Sequence, residues 1–223
     1  MHLTESITIR VKSGLAGLLF SEAKRLASMS QHIEDAESQL EWPQPQNDAN
    51  LGHAAASVTL AAAALEAAVN EVYLRAVDQS FSAFPKLNRA EVRLLAELWE
   101  VVESSRAQTI KKHELALAAL NKPEISRGTS VSQDAASLLE LRDLLMHFKP
   151  EWEDELDRHR KVEGRLRGKF AENQLSARAT GRMLWFPGRC LGAGCAIWAV
   201  QSASRYHEEF VESLGATSVL PPF

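Results

Sequence analysis

Between Leu51 and Gln79 the chain passes through Ala54-Ala55-Ala56 and Ala61-Ala62-Ala63-Ala64. Alanine has the highest intrinsic helix propensity, and its small side chain lets neighbouring helices approach closely. A single long helix is therefore expected here, with other helices packed tightly around it. Glu66 and Asn70, four residues apart on one face, are its polar exceptions. They either face solvent or point at a site.

The rest of the chain reads as further helices. Ser13 to Leu40 keeps an apolar face through Leu15, Leu18, Leu19, Ala23, Leu26 and Ile33. Pro43 and Pro45 end that helix, with a loop expected over Trp42–Asn50. A loop around Pro85 leads to Asn88, and Glu91 three residues later completes a capping-box signature. That helix is expected to reach Ser105, with another from Thr109 to Leu120 and a final one from Leu191 to Leu214. Only Ile7–Lys12 alternates with period two, which suggests an extended segment. No second such run exists, so the fold class is all-α, and the short connections suit an antiparallel bundle.

Ser130–Trp152 carries the most chemistry. Ser130 and Gln133 suit a capping box, and Leu138, Leu141, Leu145 and Phe148 recur at helical spacing, with Leu144 broadening the stripe. Pro150 is expected to stop this helix by disfavouring the α conformation at Lys149. On it lie Arg142, Asp143 and His147, which a core does not need and which are costly to bury unpaired. Arg142-Asp143-Leu144-Leu145-Met146-His147 resembles the R-x4–6-H motif of the HEPN superfamily, all-α domains many of which are metal-independent endoribonucleases. Asp143 matches the polar residue that often follows the arginine there. Leu65–Asn70 resembles the family's earlier long helix, where an acidic residue commonly faces the motif; this implies Glu66, with Asn70 beside it. The tyrosine that some members carry two residues past the histidine is Lys149 here. Arg25/His32 and Arg106/His113 have similar spacing, but no polar residue follows either arginine.

The residue types suit RNA cleavage by its own 2′-hydroxyl. Histidine moves protons near neutral pH, and the always-charged arginine fork holds a phosphate. Positions five apart on a helix are about 140° apart around its axis, so Arg142 and His147 do not share a face. Asp143 and His147, four apart, do share one, and Asp143 is placed to orient the imidazole and favour its cation. The reaction wants both a base and an acid. The resemblance implies a homodimer whose cleft joins two motif helices. The alternative is a catalytically inactive helical module that binds a protein or nucleotide partner, and beyond that a structural bundle whose motif is accidental. A protein antitoxin or regulatory partner belongs with the toxin or defence-effector reading.

Charge is local. The net charge of −4 gives no global attraction to nucleic acid. Yet nine cations stand against two carboxylates between Arg158 and Arg189, directly after the acidic cluster Glu151–Asp157. Arg158, Arg160, Lys161, Arg165 and Arg167 are the candidate RNA-backbone contacts, unless the acidic cluster neutralises them. Residues 1–150 are expected to form the HEPN-like bundle and residues 151–223 a charged helical extension packed on or beside it. No cofactor or metal is expected: Glu-x-x-His pairs, a Walker-type loop, H-E-x-x-H and a serine nucleophile elbow are all missing. Cys190 and Cys195 are the only cysteines; five apart on a presumed helix they would diverge, which fits a reducing, cytoplasmic setting. The most apolar run, Met183–Val200, is broken by Pro187, Gly188 and Arg189, so a core helix is expected rather than a membrane span.

Overall fold

The structure, a computed structural model, describes residues 12–37, 44–150, 157–175 and 184–223, without side chains at 37, 44, 45, 157 and 158. The extended segment expected before Lys12, the acidic cluster and the side chain of Arg158 lie outside the described part. Among the described residues the chain is all-helical and contains no strand. Its helices are α1 (Ala16–Glu37), α2 (Gln44–Val77), α3 (Arg89–Ser104), α4 (Thr109–Ala119), α5 (Ser130–Met146), α6 (Asp157–Leu166) and α7 (Ala193–Leu214).

The alanine-rich helix is the hub, and α1, α3, α4, α5 and α7 all pack against it. By length and composition α2 could cross a membrane, yet Ala54, Val58, Ala61, Leu65, Ala68, Val69 and Val72 are buried by these neighbours. It starts at Gln44, seven residues before the sequence pattern predicts. Pro45 is compatible with this, because a first-turn residue has no intrahelical N–H bond to lose.

Of the face expected on α1, Ala23 and Leu26 are buried and Leu19 packs against the core, but the start of the helix is turned differently. Ala16, Phe20, Ala23, Ala27, Ser30 and Glu34 face inward, while Leu15 and Leu18 are 53% and 66% exposed. The contact between α1 and α2 is tight enough for Ser57 on α2 to donate to the Ala23 carbonyl at 2.8 Å. On α3 the expected box is present: Asn88 Oδ1 accepts from Ala90 and Glu91, and Glu91 accepts from the Asn88 amide at 2.8 Å.

The hydrophobic core does not stop at Pro150. A single cluster runs from Ala16 to Leu220, and α7 packs between α1, α2 and α5. Before α7 the chain turns at Trp185–Arg189, where Phe186 has non-helical dihedrals, so the helix expected from Leu191 starts only at Ala193. This turn brings the two cysteines together instead of letting them diverge. Both thiols are free and buried; burial, then a hydrogen bond with Cys195, holds the Cys190 thiol well above its ordinary pKa.

A buried polar network closes this end of the molecule. Glu34 Oε1 accepts from Asn50 Nδ2 at 2.9 Å and from the Ala193 amide, the first of α7, at 2.7 Å. Asn50 also donates to Asn173 Oδ1 at 3.3 Å and accepts from Ser30. Asn173 Nδ2 reaches the Leu191 carbonyl at 2.8 Å and Asn47 Oδ1 at 3.0 Å. Removing one acceptor here strands several buried donors, each costing about 1–3 kcal/mol. Glu34→Ala is therefore expected to lower unfolding stability by roughly 3 kcal/mol or more, read as a lower urea midpoint. A change below roughly 0.5 kcal/mol would show that the network holds nothing.

Two histidines lie deep between α4 and α7. His113 is fully buried, with its ring edge-on to Tyr206 and Phe210 at centroid distances of 5.0 and 4.5 Å. Burial pushes its pKa down to about 3 and that of His207 down to about 4. Both stay neutral in the folded chain but take up protons when unfolded, below about pH 6.5. Their stabilisation is thus complete above about pH 6.5 and lost as pH falls towards the folded values, at roughly 1.4 kcal/mol per pH unit for each ring. Denaturation midpoints should drop between pH 7 and pH 5, and His113→Leu should halve that dependence. Equal midpoints at both pH values would contradict this.

Candidate functional site

Helix α5 begins one residue earlier in its capping pattern than the sequence predicts. Thr129 is the N-cap and accepts from Ser132 at 3.3 Å, while Gln133 donates to the Gly128 carbonyl instead of closing a box. The helix also ends early, at Met146. His147 is its C-cap at φ −117° and ψ 36°, its amide donating to the Asp143 carbonyl at 3.0 Å. Leu138, Leu141 and Leu144 are buried as expected and Leu145 is half-buried, but Phe148 lies beyond the helix, 46% exposed.

A cleft of about 410 Å³ opens between the start of α4, α5 and α6. Its apolar lining includes Ile110, Leu139, Leu144 and Val162, and its charged lining is Glu140, Arg142, Asp143 and Lys161. Arg142 Nε lies 2.9 Å from Asp143 Oδ1, close enough for ionic attraction. The contact lacks hydrogen-bond alignment, and this buried Nε has no hydrogen-bond partner. The Arg142 side chain as a whole is 27% exposed and lines the cleft. His147 is exposed but does not line the cleft. Arg142 and Asp143 are thus brought together in the cleft, and His147 is not among its lining residues.

Glu66 and Asn70 are also placed elsewhere. Both hold Lys112 of α4, whose Nζ is 3.2 Å from Glu66 Oε1 and 3.0 Å from Asn70 Oδ1. Neither lines the Arg142 cleft. The sequence offers no signal separating Lys112, only 10% exposed, from its exposed neighbour Lys111. His113, in one of the rival motif matches, is core. In the other match Arg25 is tied to Glu22, and His32 Nδ1 contacts the Ser28 carbonyl. A further histidine, His159 on α6, is buried against Phe148 and Phe186, stacking on Phe148 at 5.6 Å and 12°. Its position gives it a packing role.

The basic stretch divides. Arg165 pairs with Glu140, Arg167 with Glu163, Lys169 with Asp134 and Arg189 with Glu172. These are neutralising contacts within the fold, made with acids other than the Glu151–Asp157 cluster. Arg160 and Lys161 are exposed and have no carboxylate partner among the described residues; of the two, only Lys161 lines the cleft. No group of His, Cys, Asp and Glu suited to a metal ion occurs among the described residues.

The Lys112 contacts generate an asymmetry that can be measured. Glu66→Ala leaves a buried ammonium with only Asn70, whereas Lys112→Met leaves a carboxylate that is 37% exposed and can be solvated. Glu66→Ala should therefore cost about 1–3 kcal/mol in urea denaturation, and Lys112→Met distinctly less. The reverse order would show that the carboxylate is not there to hold the lysine.

Comparison with known proteins found no matching family model, no matching curated protein and no matching solved structure.

Proposed function

We propose that the protein is a metal-independent endoribonuclease of the HEPN type, acting as a homodimer. The observation that carries this reading is the cleft in which Arg142 and Asp143 meet Lys161, at the end of a helix capped by exposed His147. Arg142 and Lys161 bind the scissile phosphate and stabilise the charge that develops on its oxygens. His147 transfers the proton to or from the reacting oxygens. Within one chain the arginine sits in the cleft and the histidine outside it. A two-fold axis near the end of α5 supplies the histidine of the second copy to each cleft, where one imidazole takes the 2′-hydroxyl proton and returns it to the leaving 5′-oxygen. Met146 and Phe148, 60% and 46% exposed on either side of His147, are apolar surface available to such a contact. A toxin or defence-effector role, with a protein antitoxin or regulator as partner, fits this activity.

The test is incubation of RNA with the purified protein in the presence of a chelator. Products ending in 2′,3′-cyclic phosphate are expected, with Arg142→Ala and His147→Ala each reducing the rate at least ~100-fold. Mixing the two inactive variants should restore about one quarter of the wild-type activity, since about half of the dimers then carry one intact site of two. RNA left intact under all conditions would overturn the nuclease reading in favour of a catalytically silent interaction module. Full activity in a strictly monomeric species would overturn the dimer.

A further inference from the structure

We infer that the Arg142 cleft continues across the start of α4 into a track that binds the backbone of single-stranded RNA, ending at Arg106, Lys111 and Arg127. This deepens the nuclease reading above and rests on it. A second cleft, of about 630 Å³, lies between the α3–α4 turn and the start of α5. It shares Gln108, Ile110 and Ala136 with the Arg142 cleft, so the two clefts adjoin along these residues.

Charge along this groove is positive at both ends. At the far end Lys111 and Arg127 lean on one carboxylate, Glu114, at 3.5 and 2.7 Å, which leaves one positive charge in surplus. Arg106 beside them is exposed and has no carboxylate partner among the described residues. At the near end Arg142 is offset by Asp143 and Glu140 by Arg165, and Lys161 remains. Three unneutralised positive charges thus lie along one path in a protein of net charge −4. That is the arrangement by which a groove attracts and tracks a polyanion.

The lining also indicates which polyanion fits. Neither cleft is lined by an aromatic ring, so bases find no stacking platform, and the grip falls on phosphates without sequence preference. In-line attack by a 2′-hydroxyl needs a nucleotide free to leave helical stacking, which makes the strand unpaired at the cut. Phosphates on the far side of α4 then hold the strand in register while the linkage at Arg142 reacts.

The probe is a short fluorescein-labelled oligouridylate with 2′-O-methyl groups, which binds without being cut, titrated by anisotropy over a salt series. The variants are Arg106→Asn and Lys161→Gln. Arg106 has a φ of 51°, a left-handed conformation that asparagine tolerates, and Lys161 is exposed on α6, so both changes spare the fold. Each is expected to reduce the log–log salt slope by about 0.7, and together by about 1.4, because each removes one phosphate contact. Arg93→Gln, an exposed cation on α3 outside the groove, is expected to leave the slope unchanged. A wild-type slope in the double variant, an equal fall in Arg93→Gln, or no binding by the wild type overturns the track. Cleavage in chelator reports on the nuclease reading separately: RNA cut by the wild type while the groove variants keep the full slope sinks only the track. A reduced slope with RNA left uncut keeps the groove and sinks the nuclease.

Discussion

A helix start must find acceptors for amides that its own backbone cannot satisfy. In this fold neighbouring helices supply them as carboxylates. The alanines of α2 let α1 approach so closely that the amides of Leu15 and Ala16 meet Glu71 of α2, at 2.7 and 2.8 Å. Glu34, near the other end of α1, in turn accepts from Ala193 at the start of α7. Negative charge at a helix N-terminus also complements the helix dipole. Gly14 and Gly192 sit directly against these two carboxylates, where a Cβ would collide with them. The axial registers of α1, α2 and α7 are therefore set by two glutamates and not by hydrophobic shape alone, since alanine faces slide past one another easily.

That register determines where α5 lies. Its buried leucines pack on α2 and α7, which leaves the opposite side, bearing Arg142 and Asp143, against α4 and α6. The ion pairs Arg165–Glu140 and Lys169–Asp134 tie α6 and the turn after it to α5, forming one wall of the cleft. Cations that looked in sequence like an RNA-binding run are partly spent on holding this wall. Of those left over, Arg160 and Lys161, only Lys161 faces the cleft.

The helices that carry their own punctuation were legible from the chain. Asn88 and Glu91 announce α3, and the leucine period announces the buried side of α5. What escaped reading depends on partners distant in sequence. At the start of α1 Leu15 and Leu18 outrank Ala16 in hydrophobicity, so pattern alone points them inward, yet Ala16 is buried and they are exposed; further along, the expected Ala23 and Leu26 are buried. Pro45 reads as a breaker but occupies a first turn. Pro150 reads as the stop of α5, yet the helix has already ended at Met146. Arg142 as a partly open cleft residue was legible because no core needs it. The bond from Glu66 and Asn70 to Lys112 was not, because nothing in the local pattern says which lysine will be buried.

The early end of α5 changes the geometry of the motif. On a continuous helix His147 would stand about 140° around the axis from Arg142, and only the reach of the arginine would join them. As a C-cap it leaves the helical path instead, and its direction is set by the chain that follows, where Phe148 is anchored on His159 and Phe186. The histidine is therefore held at a fixed, exposed point between two apolar side chains while the arginine stays in its cleft. On the function proposed above, a proton-transfer group placed at His147, outside the Arg142 cleft, would act only with a second copy. Burying the exposed parts of Met146 and Phe148, 60% and 46% of each, against a second copy would gain roughly 1–2 kcal/mol per side chain and would carry the neighbouring histidine into the contact. Hydrophobic association and completion of the site would then be one event, which ties activity to protein concentration.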